Sequence, residues 1–295
     1  MDEQRPQVTP RRLAMRRTIA VVAVLVVVAA IALGVVAVVR SRGSGTAAPQ
    51  PAPPPPPPKP LRIVFPEGFS RTDMAARVAA VDKIALQKRG VRPKLSAAGY
   101  LKATSGKTRV AGFGRTRRPF EGFLFPATYD FFKKTPSKQL VRDQLDTFAE
   151  KWASVNLRYA SRKNLTPYDV LTIASMVEKE AQASSERPLV AAVIYNRLHA
   201  RMPLGIDATI RYALKVPPTQ SLLESQLNNP TPYNTRLHRG LPPTPISNPG
   251  LASIEAAAHP AKVDYLYFVR KPDHIHHFFT ASATAFQNYA NAHGY

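Results

Sequence analysis

The sequence has 295 residues, with 29 prolines, no cysteine and a formal net charge of +22 at pH 7. The lack of cysteine excludes disulfide bonds and thiolate metal sites. Residues 1–60 hold only eight of the Lys and Arg side chains, so most of the positive charge lies in the part of the chain that is long enough to bury a core. Such a charge favours an anionic partner.

The first predicted element is a membrane-spanning helix at residues 18–39. The run Thr18–Val39 has 22 residues without a charged side chain, and about 20 apolar residues cross a bilayer. Residues 1–17 form a basic tail with more arginines than the segment that follows the run. The positive-inside rule therefore places the N-terminus in the cytoplasm and the rest of the chain outside the plasma membrane. Cleavage of the run as a signal peptide is the alternative.

A proline-rich linker follows at residues 40–60. Nine of the twelve residues Pro49–Pro60 are proline, a composition that favours polyproline II. The linker is a spacer or, alternatively, a docking site for a proline-binding module. Because the remainder is exported, anionic wall polymers or phospholipid headgroups suit its charge better than nucleic acid, which we do not expect as a partner.

The exported part is predicted to be α+β. Residues 61–105 form a compact unit, in which Leu61–Phe65 is a strand and Ser70 caps a helix. A mobile basic connection at Lys102–Arg118 joins it to a larger domain at residues 106–295. The further elements are helices at Gln139–Tyr159, Pro167–Ala181, Arg187–His199, Asp207–Leu214 and Ser253–Ala258, a strand at Tyr265–Val269, and an irregular segment at Pro217–Pro249.

The helix at Pro167–Ala181 bears two carboxylates at the margins of its apolar stripe. On a helical wheel, Glu178 falls beside Leu171 and Glu180 falls beside Ile173. Partial burial there would disfavour the charged form and raise the carboxyl pKa, which suits a general acid. The alternative, from the pattern alone, is that both side chains are exposed to solvent.

Eight short motifs occur in the order that is found in one family. They are Glu121–Tyr129 (EGFLFPATY), Ala174–Glu180 (ASMVEKE), Ser185–Arg187 (SER), Tyr195–Leu198 (YNRL), Thr231–Thr235 (TPYNT), Gly240–Pro243 (GLPP), Ala257–Lys262 (AAHPAK) and Tyr265–Val269 (YLYFV). Together they resemble the YceG-like endolytic murein transglycosylases. The resemblance implies a lysozyme-like helical catalytic lobe with a smaller β-containing portion, preceded by a LysM-like unit.

The resemblance also implies a reaction. Such an enzyme cleaves peptidoglycan strands internally, between N-acetylmuramic acid and N-acetylglucosamine, without using water. One carboxyl group protonates the glycosidic oxygen and then takes the proton of the muramoyl 6-hydroxyl, which closes a 1,6-anhydro ring. Glu180 matches the family's acid, with Glu178 as the second choice, although Ala181 stands where many relatives have Thr or Ser. The membrane tether would keep the enzyme near peptidoglycan synthases.

Substrate contacts are expected in two other segments. Tyr233, Asn234 and Thr235 resemble the family's substrate-contacting loop, although Asn234 could instead stabilise its own turn. Asp207 and Thr209 match a glycan-site segment of the family. In that segment, Gly205 and Ala208 replace the usual glutamine and proline.

The remaining candidate site residues are four histidines and Glu186, and we do not expect them to bind a metal. His274, His276 and His277 lack the spacing of a zinc motif and are assigned to a solvated loop. His259 is assigned to the core or, alternatively, to the wall of the cleft, and Glu186 to a helix terminus. We expect neither a metal nor a cofactor. The alternative function is a catalytically silent, membrane-anchored scaffold that binds peptidoglycan.

Overall fold

The computed structural model describes the backbone of residues 10–42 and 59–294, and the side chains of residues 22–40 and 59–294. The described residues fall into two units, one before residue 58 and one after it. The described helices are α1 (Pro10–Arg42), α2 (Arg71–Arg89), α3 (Ala97–Ala103), α4 (Ser137–Ala153), α5 (Arg158–Arg162), α6 (Pro167–Glu180), α7 (Arg187–His199), α8 (Asp207–Leu214), α9 (Glu224–Leu227), α10 (Leu251–Ala258) and α11 (Ala283–Ala292). The described strands are β1 (Leu61–Val64), β2 (Lys107–Thr108), β3 (Arg118–Pro119), β4 (Thr128–Phe131), β5 (Tyr267–Arg270) and β6 (His277–Thr280).

The first unit contains the predicted apolar helix. Within α1, Val22–Arg40 is long and apolar enough to cross a membrane, with a mean hydropathy of 3.2 and no burial inside the protein. Length and composition are compatible with an anchor and also with a signal sequence. The predicted linker falls largely on residues 43–58, and the first half of the predicted tail on residues 1–9, which lie outside the described residues.

The second unit begins with a two-stranded sheet, whose strand β1 packs on helix α2 and whose strand β4 packs on helix α4. Strand β1 pairs with β4 in antiparallel register, with Leu61 opposite Phe131. Helix α2 starts with a capping box between Ser70 and Asp73, as the sequence predicts. Because β4 completes this sheet, the unit that starts at residue 61 draws on residues beyond 105. The division into 61–105 and 106–295 remains a prediction.

The basic connection is anchored to the main core. The pair β2 and β3 makes a short antiparallel ladder, and between these strands Phe113 is buried. Its ring centroid lies 4.6 Å from that of Trp152 and 4.8 Å from that of Phe123. The sequence suggested a mobile segment because its apolar residues are few. One aromatic ring in a close-packed cluster is nevertheless enough to fasten it.

The main core surrounds helix α6, which packs on α7, α8 and α10. Ile173, Ala174 and Val177 are completely buried, and each large apolar side chain contributes about 1.5–3 kcal/mol when it leaves water. Gly122 has a φ of +90°, and an added Cβ would lie 2.7 Å from Pro245. This position therefore requires glycine, both for its backbone and for its contact.

The sequence predicted α7 and α8 with the observed bounds. The prediction of one helix at Gln139–Tyr159 is wrong, because α4 ends at Ala153 and α5 begins at Arg158. Its apolar positions continue across the break, so periodicity gave no signal there. Strands β5 and β6 form a hairpin near the C-terminus, against which α11 packs.

Candidate active site

Helix α6 carries both carboxylates that the sequence singles out. A capping box fixes its start, because the Thr166 hydroxyl accepts from the Asp169 N–H (3.2 Å) and the Asp169 carboxylate accepts from the Thr166 N–H (2.8 Å). Glu180 is its last residue, and Ala181 has an extended backbone. The predicted helix was thus one residue too long. Glu180 lies where the chain leaves the helix.

The Glu180 carboxyl group meets the start of α8. The Ala208 N–H, in the first turn of that helix, lies close enough to the Glu180 carboxyl group to lower its pKa. The residue as a whole is partly exposed, whereas its carboxyl group is enclosed by neighbouring atoms. Burial raises the Glu180 pKa to about 7, and the charge of Asp207 adds to the rise. Arg270, the Ala208 N–H and Arg211 oppose it.

A carboxyl group with a pKa near 7 exists in both protonation states at neutral pH. It can therefore donate a proton and later accept one, as general acid and base catalysis requires. The Ala208 N–H and the positive end of the α8 dipole stabilise the carboxylate after it has lost its proton.

Glu178 faces a different neighbourhood. Its Oε2 accepts from the Gly250 N–H (3.1 Å), at the N-cap of α10. Its side chain also lies against Gly68 in the turn after β1. Partial burial and the charge of Glu178 raise the pKa of nearby Glu67. A carboxylate is stabilised at a helix N-terminus, so Glu178 fastens α6 to α10.

Asn234 is completely buried in the proline-rich segment. Its Nδ2 donates to the carbonyl oxygens of Leu227 and Asn229, both at 2.8 Å, and its Oδ1 accepts from the Arg236 N–H at 3.0 Å. Both amide hydrogens are therefore used within the loop. The geometry favours the alternative in which Asn234 stabilises its own turn, and its expected contact with sugar stays a prediction.

Thr235 and Thr209 are also buried, and they join the proline-rich segment to the start of α8. The Thr235 hydroxyl accepts from the Ile206 N–H (2.9 Å) and lies 3.2 Å from the Thr209 hydroxyl. The two side chains fix the N-terminus of α8, which lies beside Glu180. Their expected contact with the substrate stays a prediction.

Asp207 and Tyr233 remain accessible. Asp207 is partly exposed and forms an ion pair with Arg236 (2.8 Å). The Tyr233 hydroxyl lies 2.8 Å from that of Thr244, and its partly exposed ring is 5.4 Å from the ring of Tyr212. These two predicted site residues keep surface that a ligand can reach.

Glu121 is a buried carboxyl group whose role the sequence did not predict. It accepts from the Arg71 N–H (2.9 Å), the Asn248 side chain (2.8 Å) and the Tyr212 hydroxyl (3.1 Å). Burial raises its pKa to about 7. Glu121 thereby links α2 and α8. The only signal in the sequence was an acid directly before Gly122 in an aromatic-rich motif.

Comparison with known protein families shows to which family the chain belongs. The YceG-like family model matches residues 51–292. The chain belongs to the YceG-like family.

Individual relatives agree with this membership. The endolytic murein transglycosylase of Bacillus subtilis is 34% identical over 220 residues, which are 71% of this chain and 59% of that protein. The endolytic murein transglycosylase of Streptococcus pneumoniae is 40% identical over 157 residues, 52% of this chain and 28% of that protein. A crystal structure of a YceG-like protein from Listeria monocytogenes has a TM-score of 0.63 at 30% identity and covers 78% of this chain and 75% of its own. The chain thus matches between about a quarter and three fifths of the length of these curated relatives.

Gly205, where the family resemblance leads us to expect glutamine, has a φ of +62°, which is a left-handed conformation. An added Cβ would lie 3.2 Å from Nη1 of Arg197. Glutamine at this position would be strained, so the backbone here is adapted to glycine.

The histidines of this YceG-like chain lie differently from expectation. His277 is buried in β6, where its Nδ1 lies 2.7 Å from Glu186 and its N–H donates to the same carboxylate. The predicted solvated loop is therefore wrong for His277, and Glu186 has a histidine partner. His259 is exposed after α10, so its assignment to the core is also wrong. Among the described residues, no three His, Asp or Glu side chains group as metal ligands.

Proposed function

We propose that this chain is an endolytic murein transglycosylase with Glu180 as its catalytic acid and base. The observation that carries the proposal is the enclosed Glu180 carboxyl group with a pKa of about 7, at the N-terminus of α8. The names of the curated relatives support the substrate class, peptidoglycan.

In the first step, protonated Glu180 gives its proton to the glycosidic oxygen between N-acetylmuramic acid and N-acetylglucosamine, and the C1–O bond breaks. In the second step, the muramoyl O6 bonds to C1 while its proton passes to the Glu180 carboxylate. The substrate supplies the nucleophile, whereas most glycosidases need a second carboxylate. The acid is regenerated, and the product is a 1,6-anhydro end, which makes the reaction that of a lyase.

The second candidate acid is engaged elsewhere. The Glu178 carboxylate is held by the N-cap of α10, and only Lys179 separates it from Glu180 in the chain. For this reason Glu178 is a matched control in the same helix. Asp207 and Tyr233 are the side chains that we assign to the glycan, because both keep accessible surface.

The surrounding organisation is also part of this proposal. The segment at Val22–Arg40 anchors the enzyme in the plasma membrane, with the N-terminus in the cytoplasm, and keeps it near peptidoglycan synthases. Helices α2 and α3 follow strand β1, and the short strands β2 and β3 come between them and β4, which pairs with β1. This order supports a LysM-like unit that holds glycan beside a lysozyme-like helical lobe.

The test is digestion of purified peptidoglycan by the full chain in detergent, with mass analysis of the released ends. We expect ends one water lighter than those of a hydrolase. Glu180→Gln should abolish their release, whereas Glu178→Gln should retain it. Reducing ends would assign hydrolysis instead. Equal glycan binding by the parent chain and Glu180→Gln, with cleavage by neither, would establish the scaffold alternative.

A further inference from the structure

A group of cations surrounds the point at which the chain enters its second unit. Three contacts bring these residues together. The Arg89 guanidinium donates to the Pro60 carbonyl (3.1 Å), the Lys94 N–H donates to the Lys133 carbonyl (2.8 Å), and Leu61 pairs with Phe131. The exposed cations are Lys59, Arg89, Arg92, Lys94, Lys133 and Lys134. We call this group the proximal basic surface.

Exposed apolar side chains accompany the cations. Phe132, directly before Lys133, is 47% exposed, and Leu86 is 43% exposed. Leu86 precedes Arg89 by three residues, so both lie on the same face of α2. The acid Asp130, two residues before Phe132, is neutralised by Arg62 at 2.9 Å. The proximal basic surface therefore combines positive charge with apolar rings and chains.

We propose that the proximal basic surface docks on the anionic face of the lipid bilayer. This inference rests on the proposed membrane anchorage and is independent of catalysis by Glu180. Basic residues are attracted to anionic lipids, and aromatic side chains favour the boundary between headgroups and acyl chains. An anionic wall polymer would satisfy the cations but would leave Phe132 and Leu86 in water.

The covalent connection favours the same partner. Residue 59 belongs to the surface, and residues 43–58 join it to the candidate membrane span. A connection of this length spans at most about 55 Å when fully extended. The bilayer would therefore be present at a high effective concentration, so that weak individual contacts suffice for docking.

The experiment places the full chain in lipid nanodiscs of phosphatidylcholine, with or without phosphatidylglycerol. Because the chain has no cysteine, Gln87→Cys gives a single site for a fluorophore on α2. A nitroxide on the lipid headgroup then quenches fluorophores that lie near the bilayer. We expect quenching at position 87 in anionic discs and weak quenching in neutral ones. A fluorophore at Thr284→Cys, on α11, should not be quenched in either type of disc.

Lys133→Gln with Lys134→Gln should lower the ratio of docked to undocked protein about thirtyfold, because each basic residue at an anionic surface contributes about 1 kcal/mol. The matched control, Arg158→Gln with Lys163→Gln, removes the same charge beside α5 and should change little. Equal effects of the two pairs, or equal quenching in both lipids, overturn the proposal. If quenching does not depend on lipid charge but is relieved by soluble teichoic acid, the proposal is overturned and the surface is assigned to the polymer. Loss of the chain from the discs refutes the anchorage itself.

Discussion

Replacing Glu180 with glutamine should stabilise the protein at alkaline pH. The folded state raises the pKa of this carboxyl group from its ordinary value of 4.5 to about 7. The folded state therefore holds the proton to a higher pH than the unfolded state does. Stability is lost as pH rises from about 4.5 through 7, because the carboxylate must then be accommodated in an enclosed site.

The magnitude follows from the shift. One pKa unit corresponds to about 1.36 kcal/mol, so the full rise corresponds to about 3.4 kcal/mol above pH 8. Glu180 is partly exposed, and solvent screening reduces this value. We expect the free energy of unfolding of Glu180→Gln to exceed that of the parent by about 2 kcal/mol at pH 8, and by much less at pH 5.

The assay is urea unfolding of the full chain in detergent, followed by the fluorescence of Trp152. This is the only tryptophan, and it is buried against Phe148. Burial also raises the pKa of Glu121 to about 7. Glu121 is present in both proteins, so the difference between parent and variant isolates the effect of Glu180. A gain that is the same at pH 5 and pH 8 would refute the reasoning, because it would not involve a proton.

Three further predictions follow from the same structure. The kcat/KM for peptidoglycan should fall about tenfold per pH unit above pH 7, because the first step needs the Glu180 proton; a profile that is flat to pH 9 would remove Glu180 as the acid. Gly122→Ala should lower the free energy of unfolding by about 2–4 kcal/mol, because it adds a clash with a proline ring to the strain of a positive φ. Gly106 also has a φ of +90°, but open space surrounds it. Gly106→Ala should therefore lower the free energy of unfolding by only about 1 kcal/mol; equal losses for the two variants would contradict the packing argument. His277→Ala should lower the free energy of unfolding by about 3 kcal/mol, because it leaves the buried Glu186 carboxylate without its partner. Thermal unfolding measures this loss, and an unchanged Tm would argue against the buried pair.

Local patterns predicted a large part of the helical structure. The bounds of α7 and α8 follow from Pro188 in a first turn and from apolar positions three and four residues apart. The same reasoning failed between α4 and α5, because the apolar positions continue across the turn. Periodicity reports which side of a segment is buried but is insensitive to a short interruption of the backbone.

The sequence singled out Glu180, whose catalytic role stays a prediction. It also led us to expect sugar contacts from Asn234, Thr235 and Thr209, whose side chains are buried. A polar residue in a proline-rich segment has the same appearance in a sequence whether its hydrogen bonds go to its own loop or to a ligand. The partnership of His277 with Glu186 was unpredictable for the same reason.

The sequence by itself determined an apolar span, the helix that ends in two glutamates, and membership in the YceG-like family, because these depend on composition and on residues that are close in the chain. The sequence ranked Glu180 above Glu178 by resemblance alone, and only the tertiary structure gave the two side chains different surroundings. Glu180 meets Ala208, Asp207 and Arg270, whereas Glu178 meets Gly250. The pKa of a carboxyl group depends on the charges, donors and solvent around it in space, and here those neighbours come from segments far along the chain.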